Sequence, residues 1–160
     1  MINDNIKYRG SVNIKKRQKK RVLQECNYHN QGTELLFEII CRSLVGNNMS
    51  SAMPTYLDIE TIDDSDGYSK INLIRIHYST AIATNSTNTS GNGWKAVFTF
   101  IIPGNYIENN KTIDKVKLYN STSTNADPLA IIDLTNEESK IITDNSSNLL
   151  ITWTMEVNNE

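Results

Sequence analysis

The sequence predicts a mainly β protein: an antiparallel β-sandwich of about eight strands with one amphipathic α-helix at residues ~31–45. Composition is the first reason, because the 160 residues include 20 Ile and 15 Thr, which fit pleated strands, and 21 Asn and 14 Ser, which favour turns. Alternation of apolar and polar residues in several segments is the second. The third is that no strand–helix–strand spacing recurs along the chain.

The N-terminal segment predicts a β-hairpin with a basic tip. Residues 6–15 alternate between apolar and polar side chains, which is typical of a half-buried strand, and Gly10 interrupts the alternation where a bulge is expected. Lys16–Lys20 is interpreted as a charged turn and Arg21–Tyr28 as the returning strand. We therefore expect one domain over residues 1–160, in which 1–28 form the hairpin and 29–160 the helix and the sandwich.

One segment predicts a helix. Asn30 or Thr33 can cap it, and Glu34 falls in the first turn, where the helix dipole favours an acid. Gly46 provides the stop. The apolar residues that follow helical spacing are Leu35, Leu36, Ile39, Ile40 and Leu44.

Six further strands are predicted after the helix, and the Asn-, Ser- and Thr-rich tract 84–93 is expected to be a loop. The aromatic residues Trp94, Phe98 and Phe100 alternate along one strand and are interpreted as core residues, not as a sugar-binding platform. The predicted strands are Tyr56–Thr61, Ile71–Ile82, Trp94–Ile102, Lys115–Tyr119, Leu129–Leu134 and Leu149–Val157.

The sequence carries no recognised catalytic or metal-binding pattern. The only histidines, His29 and His77, do not lie in a cluster with metal-ligand spacing, and Cys26 and Cys41 are expected to be reduced, packed thiols. The acidic loop 63–67 fails the EF-hand pattern, although a different calcium site there stays an alternative. We expect no metal, no cofactor and no enzymatic activity; a hydrolase with a carboxylate pair assembled in space is the remaining enzymatic alternative.

Membrane association is not expected from the sequence. The first residues contain no apolar h-region, and no run approaches the roughly 18 apolar residues that a membrane-spanning helix needs.

Charge is concentrated near the N-terminus. Residues 1–21 carry a net charge of +7, whereas the rest of the chain carries −9. Contact with an acidic protein surface is the favoured interpretation, a solvated hairpin edge is the simpler one, and nucleic-acid binding is less favoured because few aromatic residues accompany the cations. The candidate partner-binding residues are Lys7, Arg9, Lys15, Lys16, Arg17, Lys19, Lys20 and Arg21.

Two segments resemble small virion proteins of tailed bacteriophages, especially those of crAss-like phages. The first is the turn and amphipathic stretch His29–Phe37, continuing to Leu44–Gly46 and then to Pro54–Leu57. The second is Leu149–Met155, which is similar to the closing strand of phage tail and fibre-associated sandwiches. The glycine-rich "G-T-G" tract of those proteins is replaced here by Asp58–Thr61.

The resemblance implies a non-enzymatic structural protein of the virion, made in the host cytoplasm: a head fibre, a capsid decoration protein or a tail or collar adaptor. Its expected partners are other virion proteins, and it is expected to be a homo-oligomer because virion components repeat in symmetric lattices. The alternative is a soluble β-sandwich module that binds carbohydrate or a host surface through loops 84–93 and 121–127.

Overall fold

The computed structural model describes residues 6–32, 36, 54–63, 69–88, 91–123, 125–134 and 140–159. These residues form nine strands and one short turn of 3-10 helix at Gly104–Tyr106. The strands are β1 (Ile6–Gln18), β2 (Arg21–Gly32), β3 (Tyr56–Asp63), β4 (Ser69–His77), β5 (Thr80–Asn88), β6 (Gly91–Ile102), β7 (Lys111–Tyr119), β8 (Ala130–Asp133) and β9 (Asn148–Asn159).

The strands form two antiparallel sheets joined by β2, which confirms the prediction of a mainly β protein with antiparallel pairing. The five-stranded sheet has the order β2-β1-β9-β6-β5, and the four-stranded sheet has the order β4-β3-β7-β8. Most of β2 pairs with β1, whereas its last residues, Gln31 and Gly32, pair with Ile131 and Ala130 of β8. The strand order is therefore continuous from β4 to β5.

Both sheets contribute to one hydrophobic core. Val12 and Ile14 of β1 are 1% and 0% exposed, and Trp153 of β9 is fully buried. From the four-stranded sheet, Leu57 and Leu118 belong to the same cluster. The alternation in the sequence correctly predicted these inward positions, because successive residues of a strand point to opposite faces.

The predicted N-terminal hairpin is present, but it lies inside the sheet. β1 pairs with β2 on one side and with β9 on the other, from Ile6↔Asn159 to Arg17↔Asn148. β1 and β2 are also longer than expected, since the turn contains only Lys19 and Lys20. The bulge expected at Gly10 is wrong: the register shift lies between Lys16 and Arg17.

Two further expectations are corrected. The strand predicted at residues 71–82 is two strands, because the chain leaves β4 at His77 and enters β5, in the other sheet, at Thr80. The loop predicted at residues 84–93 is wrong as well, since the tract forms registered pairs of β5 and β6 down to Asn88↔Gly91. Polar composition hid these strands, because cross-strand pairing and not local hydrophobicity holds them.

Most of the predicted helix at ~31–45 lies outside the described residues. Gln31 and Gly32, at its expected start, instead end β2. Leu36 is helical and 2% exposed.

Truncation of Ile14 tests whether β1 is a core strand of the domain. Ile14→Ala should lower the free energy of unfolding by about 2–5 kcal/mol, because it leaves a cavity between the sheets. Ser11→Ala, on the opposite face of the same strand, should change it by less than about 0.5 kcal/mol. Chemical denaturation monitored by tryptophan fluorescence would measure both, and equal effects would contradict the central position of β1.

Candidate interaction surfaces

The candidate basic residues of the hairpin divide into internal and exposed groups. Lys15 Nζ lies 3.0 Å from Glu25 Oε1, across the β1–β2 pair. Hydrogen bonds to Glu25 from Asn13 and then from Lys15 lower the pKa of that carboxyl group. Lys15 is thus matched by an acid of the neighbouring strand.

Lys16 connects the hairpin to the segment that precedes β9 through a hydrogen bond and an ion pair. Its Nζ donates a hydrogen bond of 2.9 Å to the Ile142 carbonyl and lies 3.1 Å from Asp144 Oδ2. Gln24, which is opposite Lys16 on β2, donates to the Lys140 carbonyl at 2.7 Å. The Lys16 side chain is only 16% exposed, so its charge interacts with Asp144 and is little accessible to a partner.

Asp144 is the acidic partner of Lys16 in this ion pair. The Ser146 hydroxyl donates to Asp144 Oδ1 at 2.7 Å and the Ser146 backbone N–H donates to it at 3.0 Å. The Ser146 side-chain hydrogen bond, with the ion pair to Lys16 as a further cause, lowers the pKa of Asp144 to about 2. When Asp144 is ionised, it therefore stabilises the folded state.

The exposed cations lie at the end of the hairpin. Lys19 occupies the left-handed region with φ of 54°, and Lys19, Lys20 and Arg21 are all exposed. Beside them on β2, Val22 and Leu23 are 40% and 42% exposed. We call these five residues, 19–23, the tip surface.

The other candidate residues lie along β1. Arg9 is exposed and stands opposite Glu156 of β9. Arg17 is half-buried, and its Nε has no hydrogen-bond partner among the described residues. Lys7 belongs to β1, in register with Asn158. The eight residues therefore do not form one patch: Lys15 and Lys16 serve the fold, whereas Lys19, Lys20 and Arg21 face solvent together.

The outer face of the five-stranded sheet carries an uncharged polar row. The residues are in register from strand to strand, and each is partly or fully exposed: Asn27, Asn13, Thr152, Thr99 and Thr80. Asn13 Nδ2 donates to Asn27 Oδ1 at 2.7 Å, so part of this row is bonded internally. Alternation in the sequence places Asn13 and Thr99 between inward residues, but it did not predict that the five residues align.

The four-stranded sheet has an outer face with buried charges. Asp58 and Glu60 of β3 are 2% and 5% exposed. Glu60 pairs with Lys117, and Lys115 Nζ lies 3.8 Å from its other oxygen. Asp58 Oδ1 accepts a hydrogen bond from the Ile59 backbone N–H at 2.9 Å. Because Glu60 is buried, removal of Lys117 would leave an uncompensated buried charge, which is destabilising.

Aromatic rings meet where the chain passes from one sheet to the other. The His77 ring lies 5.4 Å from the Tyr56 ring and 4.4 Å from the Tyr78 ring, between centroids. Tyr78 in turn lies 6.2 Å from Phe98, so one side of the cluster is part of the core. His77 itself is exposed. We call Tyr56, His77 and Tyr78 the ring cluster.

The candidate metal ligands in the described part of the chain include Cys26, His29 and His77. Cys26 is a free thiol on β2 and is 8% exposed. Cys41 and the acidic loop at residues 64–67 lie outside the described residues. Within the described ranges, no group of three or more His, Cys, Asp or Glu residues could hold a metal ion. No helix in the described part of the chain is long and apolar enough to cross a membrane.

Comparison with protein-family models, with curated proteins and with solved structures found no match. The surfaces above are therefore interpreted from their geometry and chemistry.

Unfolding measured at decreasing pH should show the contribution of ionised Asp144 to stability. Because the folded pKa of about 2 lies below the usual 3.8, its stabilisation is complete above about pH 4 and is lost as the pH falls through 2. Asp144→Asn should lower the free energy of unfolding at pH 7 by on the order of 1–2 kcal/mol, with solvent screening taken into account.

Urea unfolding between pH 2 and pH 7 would measure this difference. The two proteins should converge in stability towards the acid end of the range. Asp127→Asn, at an exposed carboxylate in the loop before β8, is the matched control. A constant difference between wild type and Asp144→Asn at all pH values would contradict the assignment.

Proposed function

We propose that this protein is a non-enzymatic structural component of a bacteriophage particle, and that its two sheets form a β-sandwich which docks to another virion protein through the tip surface. The phage assignment rests on the sequence resemblance, and the docking assignment on the exposed cations and apolar residues at residues 19–23. A head fibre, a capsid decoration protein and a tail or collar adaptor are the positions that the resemblance favours.

The tip surface carries this proposal because it combines charge with apolar area. Lys19, Lys20 and Arg21 surround one end of a strand on which Val22 and Leu23 are about two-fifths exposed. Protein interfaces commonly join an apolar centre to a charged rim, and arginine is enriched in them. A partner of matching chemistry is an acidic protein surface with an apolar depression.

The tip surface is also held in place before binding. Lys16, Gln18 and Gln24 bond to Ile142, Ser146 and Lys140 respectively, just below the turn. A surface held this way loses little conformational entropy when it binds, and that favours affinity. Repetition of the contact over a symmetric particle would add avidity, so a small surface is sufficient.

Neutralisation of the tip tests the docking proposal. In Lys19→Gly/Lys20→Gln/Arg21→Gln, glycine also suits the positive φ at position 19, so the turn is preserved. The copy number of this variant in purified particles, measured by quantitative mass spectrometry, should fall several-fold because three attractive charges are lost.

Two comparisons sharpen that experiment. Thr122→Asp/Ser123→Asp/Asn125→Asp lowers the net charge by the same three units at exposed positions after β7 and should be incorporated normally. Val22→Thr/Leu23→Thr keeps the charges and should also reduce incorporation, which a purely electrostatic nucleic-acid contact would not require. Absence of the native protein from particles would contradict the virion proposal, whereas normal incorporation of the tip variant would contradict docking through the tip.

The ring cluster favours a second candidate function, the binding of a host-surface carbohydrate. His77 is exposed and Tyr56 and Tyr78 are half-buried, and partly exposed rings of this kind provide flat apolar contact area together with polar atoms for hydrogen bonds. Tyr56 lies opposite Tyr119, and the polar residues 120–123 follow Tyr119 directly in the chain. The other predicted loop, 84–93, belongs to the paired ends of β5 and β6 over its described residues.

Glycan-array binding separates this candidate from the first. If the ring cluster binds a carbohydrate, Tyr56→Ala and His77→Ala should each reduce the array signal several-fold. Tyr106→Ala removes a tyrosine that is 57% exposed on the 3-10 turn and should leave the signal unchanged. No glycan binding by the wild-type protein would eliminate the second candidate.

A further inference from the structure

The two ends of the strand order differ in how they are protected. β4 and β5 are the terminal strands, and each presents backbone N–H and C=O groups on one side. β4 contains Lys70 and Arg75, and its pairing with β3 shifts between Leu57 and Ile59. Charges and irregular pairing are the usual means by which proteins prevent an edge strand from pairing with another chain.

β5 has none of these protections. Its sequence, TAIATNSTN, contains no charged residue and no proline. It pairs with β6 in nine consecutive registered pairs, from Thr80↔Thr99 to Asn88↔Gly91, without a register shift. Within the described part of the chain, β6 is the only strand that β5 pairs with. A long, regular, uncharged edge of this kind is a template for strand addition.

We propose that β5 pairs antiparallel with β5 of a second copy of this chain, across a two-fold axis. The pairing joins the two five-stranded sheets into one continuous sheet. It is independent of the proposed virion function, because it requires only the edge itself.

The lack of charge on β5 suits a second copy of the same strand as the occupant. In a two-fold antiparallel pair the same strand stands on both sides, so any charged residue would bring like charges to one interface. β5 is free of charged residues and therefore pairs with itself without repulsion. An acidic or basic partner strand would gain nothing from this edge, whereas the tip surface offers cations to such a partner.

The same reasoning predicts where assembly stops. Once two β5 strands have paired, the outer strand at both ends of the sheet order is β4. β4 contains the cations Lys70 and Arg75, and charged residues on an edge strand disfavour the addition of a further strand. Assembly therefore ends at a closed dimer and does not continue into a filament.

Sedimentation equilibrium of the full chain tests the proposal. The wild-type protein should be a reversible dimer, and Thr80→Lys/Ser86→Lys should weaken dimerisation at least about tenfold, since like charges then meet at the pairing edge. These positions stand opposite Thr99 and Gly93 of β6, so neither added lysine lies directly across from a cation; Lys95, which is diagonal to position 86, is paired with Glu156. Thr122→Lys/Asn125→Lys adds the same charge at exposed loop positions and should dimerise as the wild type does.

Hydrogen exchange gives a second, local measurement. Amides of β5 should exchange more slowly in the wild type as protein concentration rises, and this dependence should be lost in the edge variant. Circular dichroism would verify that the variant is folded; if the double variant is not, Thr80→Lys alone is used. A monomeric wild type, open-ended polymers, or a dimer that the edge lysines do not weaken would each overturn the proposal.

Discussion

The passage of β2 from one sheet to the other is the constraint on which most of this fold depends. Its first part pairs with β1, and its last two residues, Gln31 and Gly32, pair with β8. Because a single strand belongs to both sheets, their inner faces are fixed at one separation and share one core. The inward residues of β1 and β9, which include Ile14 and Trp153, then have a defined opposing surface. The loops, the tip surface and both sheet edges take their positions from this arrangement.

Charge is distributed in the folded protein differently from its distribution along the chain. The cluster at residues 1–21 is one basic segment in the sequence, yet Lys15 and Lys16 are matched by Glu25 and Asp144. The exposed cations that have apolar neighbours are those of the tip surface, at the turn between β1 and β2. The four-stranded sheet places Glu60 against two lysines in the same way. A partner therefore meets a smaller and more directional surface than the net charge suggests.

Local pattern predicted much of the fold, because strand alternation is a property of neighbouring residues. The inward positions of Phe98, Phe100 and Trp153 followed from it directly. Strand order did not, since it depends on which distant segments pair, and the tract at 84–93 was misjudged because its residues are polar. The candidate site was predicted only as a set of cations. The register shift at Lys16 leaves no local signal in the sequence. Neither do the contacts with the distant segment 140–146, which determine which lysines are buried in the fold.

The pairing of β1 with β9 has a consequence for how the chain folds. Val12 stands opposite Trp153, so the central pair of the five-stranded sheet joins segments that are far apart in the chain. Closing a long loop costs entropy before such non-local contacts contribute any stabilisation, and this slows folding. During synthesis β1 leaves the ribosome long before β9 exists, and its outer edge must wait unpaired. Completion of the sheet is thus a late step that waits for β9, and the interval before it is when chaperone binding would protect the chain most.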